Sequence, residues 1–252
     1  MIFIKSQREI ELMRTAGDIL ARTRQMLVPH IKPGISTYQL DQLAEKFILD
    51  NGATPTFKGY NGFPGAICTS VNEEVIHGIP SKAKILKNGD IISIDIGVTY
   101  RGYIADSAWT FPVGSIDEKV SKLLEITQQA LFIGLEQIKP GAYVGDIGYA
   151  IEQFVKPHGY GIVVEFTGHG VGRKLHEAPY IPNFGKAHTG ELLREGMTFC
   201  VEPMINLGTK GVKVLTDNWT TITVDKNVSA HFEHTIVVTK NGYDILSKIK
   251  EQ

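Results

Sequence analysis

The chain has 252 residues, of which 42% are hydrophobic and 21% are charged, as in folded globular proteins rather than disordered ones. The 26 Lys and Arg residues nearly balance 27 Asp and Glu residues, so the net charge of -1 gives no indication of a nucleic-acid or anionic-membrane partner. We expect a cytoplasmic protein, since the sequence has no secretory leader and no apolar run of membrane-spanning length. The two cysteines lack Cys-x-x-Cys spacing, which favours reduced thiols over a disulfide framework.

Helix signals appear early in the chain. Ser6 followed by Glu9 forms a capping box, and apolar residues follow at helical spacing. A second helix is expected to begin after "KPG" and to end at Asn51–Gly52. Two more helices are predicted over 117–138 and 144–159, and strands are predicted over 91–96, 197–205, 219–224 and 232–239.

An internal repeat relates the two halves of the chain. The segment "IKPGISTYQLDQLAEKFILDNG", which starts at Ile31, recurs 107 residues later as "IKPGAYVGDIGYAIEQFVKPHG". At the same offset, "LKNGDIISID" ending at Asp95 aligns with "LREGMTFCVE" ending at Glu202. The repeat predicts one domain over 1–252, made of two α+β halves, roughly 1–115 and 116–252, related by a pseudo-two-fold axis. Asp95 and Glu202 would then face one central space.

Two acidic residues interrupt otherwise apolar strand-like runs in "IDIGVTYRGYIADSAW", residues 94–109. If the stretch is a hairpin turning at Tyr100 and Arg101, Asp95 lies directly opposite Asp106, with Cβ atoms about 4.5 to 5.5 Å apart. Two carboxylates so close require a proton or a cation. The alternative is a hairpin at a sheet edge, with both acids in solvent.

The second half supplies further candidate ligands. His169 lies among alternating glycines, where the backbone packs closely, although a single such histidine is more often a core residue than a ligand. Glu202 and Glu233 are lone acids in strand-like runs. With the two aspartates they could hold two divalent cations about 3.5 to 4 Å apart, a pair suited to amide hydrolysis. Mn, Fe, Co and Zn all fit such ligands, whereas no His-Glu-x-x-His, Gly-x-Ser-x-Gly or Walker motif is present.

The sequence resembles the type I methionine aminopeptidase family over essentially its whole length. The resemblance rests on "SVNEEVIHGIP", "DIISIDIG", "GYIADSAWTFPVG", "TGHGVGRKLHEAP", "GMTFCVEPM" and "HFEHTIVVT", in that order. It implies the pita-bread fold, a pseudo-two-fold symmetric α+β arrangement with a central antiparallel sheet and flanking helices. It also implies removal of the initiator methionine from nascent proteins and peptides when the second residue is small. The reaction would be a di-metal-activated hydroxide attack on the first peptide bond.

The family's site residues carry over one by one. The implied metal ligands are Asp95, Asp106, His169, Glu202 and Glu233. Glu202 would also shuttle the proton, His176 would hydrogen-bond the substrate carbonyl, and His77 would lie near the leaving amide. The methionine pocket would be lined by Tyr60, Phe63, Cys68 and Trp219, with Phe57 nearby at a position where a cysteine is common in the family. A monovalent cation near Asn72 and Ser229 is also implied.

The implied partners are nascent polypeptide amino termini that start with Met, together with transient ribosome association, and the expected state is a monomer. Two other functions remain open. One is a proline-specific peptidase of the same fold, although such relatives generally carry an additional amino-terminal domain. The other is a non-catalytic binding protein that keeps the fold without the metals.

Overall fold

The structure is a computed structural model that describes residues 2–250. All four predicted helices are confirmed. The first begins at its predicted capping box, in which the Ser6 backbone N–H donates to Glu9 Oε2 at 2.8 Å. The helices are α1 (Gln7–Leu27), α2 (Thr37–Asp50), α3 (Glu118–Leu135) and α4 (Val144–Val155).

The strands pair antiparallel throughout the described residues and group into four hydrogen-bonded sheets. The α+β class predicted from sequence is therefore confirmed. The strands are β1 (Thr54–Pro55), β2 (Cys68–Val71), β3 (Glu74–Ile76), β4 (Ile91–Tyr100), β5 (Tyr103–Pro112), β6 (Gly161–Ile162), β7 (Gly168–Gly170), β8 (Glu177–Ile181), β9 (Thr198–Val201), β10 (Met204–Asn206), β11 (Val212–Val214), β12 (Thr221–Thr223), β13 (Ser229–His231), β14 (His234–Val238) and β15 (Tyr243–Ile245).

One predicted strand is divided in two. The single strand expected over 197–205 is wrong, because β9 ends and β10 begins around Glu202–Pro203. Proline has no backbone N–H to donate to a neighbouring strand, so the ladder is interrupted there. The interruption leaves Glu202 at the end of a strand, beside the cavity described below.

The predicted register of the β4–β5 hairpin is wrong by two residues. The turn consists of Arg101 and Gly102, whose φ angles of 49° and 80° are those of a two-residue type I′ turn. Asp95 therefore lies opposite Ala108 rather than opposite Asp106. Because side chains alternate with a period of two, the shift leaves both acids on the same face, as diagonal neighbours.

Backbone contacts follow the internal repeat. Gly34 N–H donates to Leu86 O at 2.8 Å, and 107 residues later Gly141 N–H donates to Leu193 O at 3.0 Å. The helices α2 and α4 start at equivalent positions in this repeat. Each half has its own apolar core, the first beneath α1 and α2 and the second beneath α3 and α4.

The two halves meet through a symmetric pair of threonine contacts. Thr235 Oγ1 accepts from the Asp106 backbone N–H at 2.9 Å and donates to Asp106 O at 2.7 Å. Thr110 Oγ1 likewise accepts from the His231 backbone N–H at 2.9 Å and donates to His231 O at 2.8 Å. Asp106 and His231 thus occupy equivalent positions on either side of the junction.

We propose that residues 1–252 form one domain whose halves meet near residue 115; residues 1, 251 and 252 of that range lie outside the described part. No helix within residues 2–250 has the length and apolar character needed to cross a bilayer.

Candidate metal centre and substrate cavity

A cavity of about 430 Å³ receives side chains from both halves of the chain. The structure brings all twelve predicted ligand, catalytic and pocket residues around it. They are Phe57, Tyr60, Phe63, Cys68, His77, Asp95, Asp106, His169, His176, Glu202, Trp219 and Glu233.

Three of the four predicted acidic ligands in this cavity keep a buried oxygen without a hydrogen-bond partner within residues 2–250. These oxygens are Asp95 Oδ1, Asp106 Oδ1 and Glu233 Oε1. Unpaired buried oxygens of this kind are costly unless a proton or a cation satisfies them.

The pKa values of the four acids also indicate that positive charge is missing around them. Burial, followed by the charges of Glu233, Asp95 and Glu202, raises the pKa of Asp106 well above its ordinary value. Burial also raises the pKa values of Asp95, Glu202 and Glu233. No Lys or Arg within residues 2–250 forms an ion pair with any of them. The donor set therefore fits divalent cations, which would supply the missing positive charge.

The imidazole of His169 faces this acidic cluster. Its Nε2 lies 3.5 Å from Glu202 Oε1 and 4.0 Å from Asp106 Oδ2, and its Nδ1 lies 3.0 Å from Gly170 O. Because a carbonyl oxygen can only accept, Nδ1 carries the hydrogen and Nε2 is left with its lone pair toward the acids. Burial lowers the pKa of His169 to about 4, so the ring is neutral and suited to bind a metal.

The glycines around His169 are required by close backbone packing. A Cβ at Gly168 would lie 2.3 Å from Cys200 O, and a Cβ at Gly170 would lie 2.2 Å from Ala178 O. Neither distance is sterically allowed, so β7 can approach its neighbours only with glycine at both positions. This packing fixes the direction of the imidazole.

Cys200, which the sequence analysis did not predict, is a neighbour of the candidate metal ligands. One donor atom each from Asp106, His169, Cys200 and Glu233 lie within 4.8 Å of one another. Burial raises the pKa of the Cys200 thiol well above its ordinary value, and the thiol contacts Thr235 Oγ1 at 3.4 Å. Asp106, His169 and Glu233 line the cavity and Cys200 is not among its lining residues, which leaves the carboxylates and the imidazole as the main candidate donors.

His176 lies beside the candidate ligand His169 and contacts a tyrosine. Its ring centroid is 4.3 Å from that of His169, and its Nδ1 lies 2.9 Å from the hydroxyl of Tyr60. Burial lowers the pKa of His176. When the ring of His176 is neutral and its Nδ1 bonds the Tyr60 hydroxyl, Nε2 remains available to bind a ligand.

His77 has an uncommon backbone conformation next to the aromatic wall of the cavity. Its φ is 58°, in the left-handed region that a non-glycine residue adopts only when its surroundings hold it there. Its ring meets Trp219 edge-on at 6.1 Å and Phe166 at 5.9 Å. Phe63 in turn packs edge-on against Trp219 at 5.1 Å. Burial lowers the pKa of His77 to about 4, so a neutral imidazole faces the cavity.

The apolar side of the cavity begins directly next to the acids. Cys68 on β2 pairs with Asp95 on β4, and Phe57 packs against Gly97, two residues further on. Phe57, Phe63 and Cys68 are all buried. The arrangement places an apolar, aromatic pocket beside a carboxylate, as recognition of an apolar side chain next to a charged amino group requires.

The sequence analysis missed His231, a buried residue that lines the cavity. Its Nε2 lies 3.5 Å from Glu202 Oε2, and burial lowers its pKa to about 4. The available signal was its position two residues before Glu233, which in an extended chain places both side chains on one face. Other lining residues that were not predicted are Asn61, Ile76, Glu165, Phe166, Thr167, Leu175 and Tyr180.

Comparisons with known proteins agree with this geometry. The sequence model of metallopeptidase family M24 matches residues 11–240. The chain is 53% identical to methionine aminopeptidase 1 of Bacillus subtilis, over 99% of this chain and 100% of that protein.

Solved structures share the fold. A crystal structure of methionine aminopeptidase from Thermotoga maritima superposes with a TM-score of 0.97 at 44% identity, over 98% of this chain and 100% of that one. Prolidase from Pyrococcus furiosus superposes with a TM-score of 0.80 at 27% identity, over 98% of this chain and 66% of the prolidase. The pita-bread fold expected from sequence is thereby confirmed.

Proposed function

The chain belongs to metallopeptidase family M24, and from that membership we propose that it is a methionine aminopeptidase. It removes the amino-terminal methionine from nascent proteins and peptides whose second residue is small. The observation that carries the proposal is the juxtaposition of an acid-rich centre with a buried aromatic pocket in one cavity. The high full-length identity to methionine aminopeptidase 1 of Bacillus subtilis supports the same activity.

The proposed metal ligands are Asp95, Asp106, His169, Glu202 and Glu233, which would hold two divalent ions drawn from Mn, Fe, Co and Zn. The unpaired buried oxygens of three of these residues support the assignment. When bound, such an ion pair lowers the pKa of a shared water and polarises a peptide carbonyl.

The protein's own groups would bind and orient the substrate. Asp95 would accept from the free amino group, which must lie beside the apolar pocket when methionine fills it. His176 would donate from Nε2 to the scissile carbonyl oxygen as negative charge develops there, since its Nδ1 faces the Tyr60 hydroxyl. These contacts fix the first peptide bond relative to the acids.

Glu202 would move the proton. Its carboxylate would take a proton from the attacking water and pass it to the nitrogen of the departing amide. His77, held against Trp219, would lie near that nitrogen and orient it.

The methionine side chain would occupy the pocket of Tyr60, Phe63, Cys68, Trp219 and Phe57. Aromatic edges and a thiol are polarizable surfaces that suit a thioether. Phe57, which stands where the family often has a cysteine, adds a ring to this wall.

A monovalent cation is proposed near Asn72 and Ser229. The Ser229 backbone N–H donates to Asn72 O at 2.9 Å, which joins the two residues. Asn206 on β10 pairs with Ser229 on the neighbouring strand β13. Its Oδ1 is buried and has no hydrogen-bond partner among residues 2–250. Such an oxygen is a suitable ligand for a hard cation.

The proposed partners are polypeptide amino termini that begin with Met and emerge during synthesis in the cytoplasm. Transient association of a monomeric enzyme with the ribosome would bring it to these termini.

The test is release of free methionine by metal-stripped protein before and after addition of Mn, Co or Fe(II). We expect metal-dependent cleavage of Met-Gly-X, and little of Met-Leu-X or Leu-Gly-X. Asp106→Asn should abolish it, whereas the exposed control Asp50→Asn should retain it. Preferential cleavage of Gly-Pro would favour the proline-specific alternative. A folded protein that cleaves none of the peptides with any metal would favour a non-catalytic binding protein.

A further inference from the structure

His231 is a buried histidine at the catalytic cavity with an unsatisfied ring nitrogen. It is 2% exposed, and its Nε2 has no hydrogen-bond partner within residues 2–250. The nearby acceptor is Glu202 Oε2 at 3.5 Å, slightly beyond ordinary hydrogen-bond length. A buried ring nitrogen left unpaired is costly, and a small shortening of this contact would make it a hydrogen bond.

The backbone of His231 is fixed on both sides. Thr110 Oγ1 bonds both its N–H and its carbonyl, and Ser93 Oγ lies 2.8 Å from that same hydroxyl. Across β10 and β13, His231 pairs with Met204, two residues after Glu202. The ring is therefore presented to Glu202 by a rigid junction rather than by a mobile loop.

The position of His231 in the repeat explains why an imidazole suits this place better than a second carboxylate. It is the symmetric counterpart of Asp106 across the threonine junction. A second aspartate here would add a fifth carboxylate to a cluster that already has too little positive charge. An imidazole can instead donate a hydrogen bond to the cluster.

Glu202 is consequently flanked by two imidazoles. His169 Nε2 lies 3.5 Å from Oε1, and His231 Nε2 lies at the same distance from Oε2. Its backbone carbonyl is also held, by the side-chain amide of Asn183 at 3.0 Å. A hydrogen bond from His231 would restrict rotation of the carboxylate.

We propose that His231 is a positioning residue that donates from Nε2 to Glu202 Oε2 and orients this carboxylate for proton transfer. The inference rests on the proposed function, in which Glu202 moves the proton. In this role His231 acts through Glu202 rather than on the substrate.

The kinetic test compares His231→Leu, which removes the donor, with His231→Gln, which restores a donor on a flexible side chain. We expect His231→Leu to lower kcat about tenfold with KM and bound metal little changed, since one hydrogen bond to a charged group is worth about this factor. His231→Gln should recover most of the loss. His234→Leu, at a buried histidine bonded to Ser247 instead, is the matched control and should retain kcat.

Equal losses in His231→Leu and His231→Gln would overturn the proposal, as would a kcat for His231→Leu equal to that of wild type. A loss in His234→Leu as large as in His231→Leu would attribute the effect to general destabilisation and would also contradict it.

A second measurement does not depend on activity. In metal-free full-length protein with 15N-labelled histidine, the Nε2 resonance of His231 should carry a proton and should shift in Glu202→Gln. An unprotonated Nε2, or a resonance unaffected by Glu202→Gln, would contradict the hydrogen bond. If wild-type protein cleaved no peptide, the proposed function would fail, while this spectrum would still decide whether His231 donates to Glu202.

Discussion

Tyr60 has two roles in the proposed site, because it lines the proposed methionine pocket and also contacts His176. Its hydroxyl lies 2.9 Å from His176 Nδ1. If the hydroxyl donates, the hydrogen of the neutral imidazole lies on Nε2, where it can donate to a substrate carbonyl. One hydrogen bond then sets which nitrogen serves the reaction.

Tyr60→Phe separates these roles, since it keeps the ring and removes the hydroxyl. We expect kcat to fall about five- to tenfold for Met-Gly-X, the worth of one neutral hydrogen bond, with little change in KM. Steady-state kinetics alongside the exposed Tyr149→Phe control would measure this. Wild-type kcat in Tyr60→Phe would show that the hydroxyl does not control His176.

Among the elements, the β4–β5 hairpin joins the acids to the pocket through one glycine. Gly97 lies opposite Asp106, and a Cβ there would lie 2.6 Å from Phe57 Cε1. The strand therefore has no room for a side chain unless the Phe57 ring moves.

Gly97→Ala should shift the Phe57 ring and disturb the pocket. Overpacking of this kind typically costs about 1 to 3 kcal/mol of stability, and we expect KM for Met-Gly-X to rise. The control is Gly211→Ala, whose Cβ would meet Val224 at an ordinary 3.5 Å. Urea unfolding and KM measured for both variants provide the test. Equal values in Gly97→Ala and wild type would refute the role of this contact.

The capping box of α1 links that helix to β5 and is sensitive to pH. Glu9 accepts from the Ser6 backbone and from the Tyr103 hydroxyl at 2.7 Å, and these bonds lower its pKa to about 2. Since the folded pKa lies below the unfolded value of about 4.3, the contribution is complete above about pH 5. It is lost as the pH falls toward 2.

Glu9→Gln should therefore be less stable than wild type at pH 7, and the difference should shrink between pH 5 and pH 2. Urea unfolding at several pH values measures it. A difference that stays constant over this range would mean that the carboxylate charge is not responsible.

Local signals explain which elements could be predicted from the sequence. The starts of α1 and α2 depend on Ser6 and Ser36 and on residues within one turn of each helix. The local sequence is therefore sufficient to predict where these helices begin. The hairpin register was missed because it depends on a left-handed backbone at Arg101, which the residue type does not favour. His231 was missed because its direction is set by Thr110, 121 residues away.

At the scale of the whole molecule, the proposed metal ligands come from both halves. Asp95 and Asp106 belong to the first half, and His169, Glu202 and Glu233 belong to the second. Metal binding should therefore stabilise the junction, while the metal-free protein carries mutually repelling acids.

Saturating Mn should raise the melting temperature by about 5 to 10 °C, since a ligand at 100 times its Kd contributes about 2.7 kcal/mol. Asp106→Asn should melt higher than wild type without metal, because it removes one of the repelling charges, and should gain little from Mn. Calorimetry of both proteins with and without Mn gives the comparison, and Asp50→Asn should behave as wild type. An equal gain in Asp106→Asn would exclude Asp106 as a ligand.

The most direct measurement is the intact mass of a protein substrate that still carries its initiator methionine, before and after incubation with the metal-loaded chain. We predict that a substrate beginning Met-Gly loses one methionine residue and nothing more, while the same substrate beginning Met-Leu keeps its mass. An unchanged Met-Gly substrate, or loss of residues beyond the first, would contradict assignment of the cavity as the site of methionine removal.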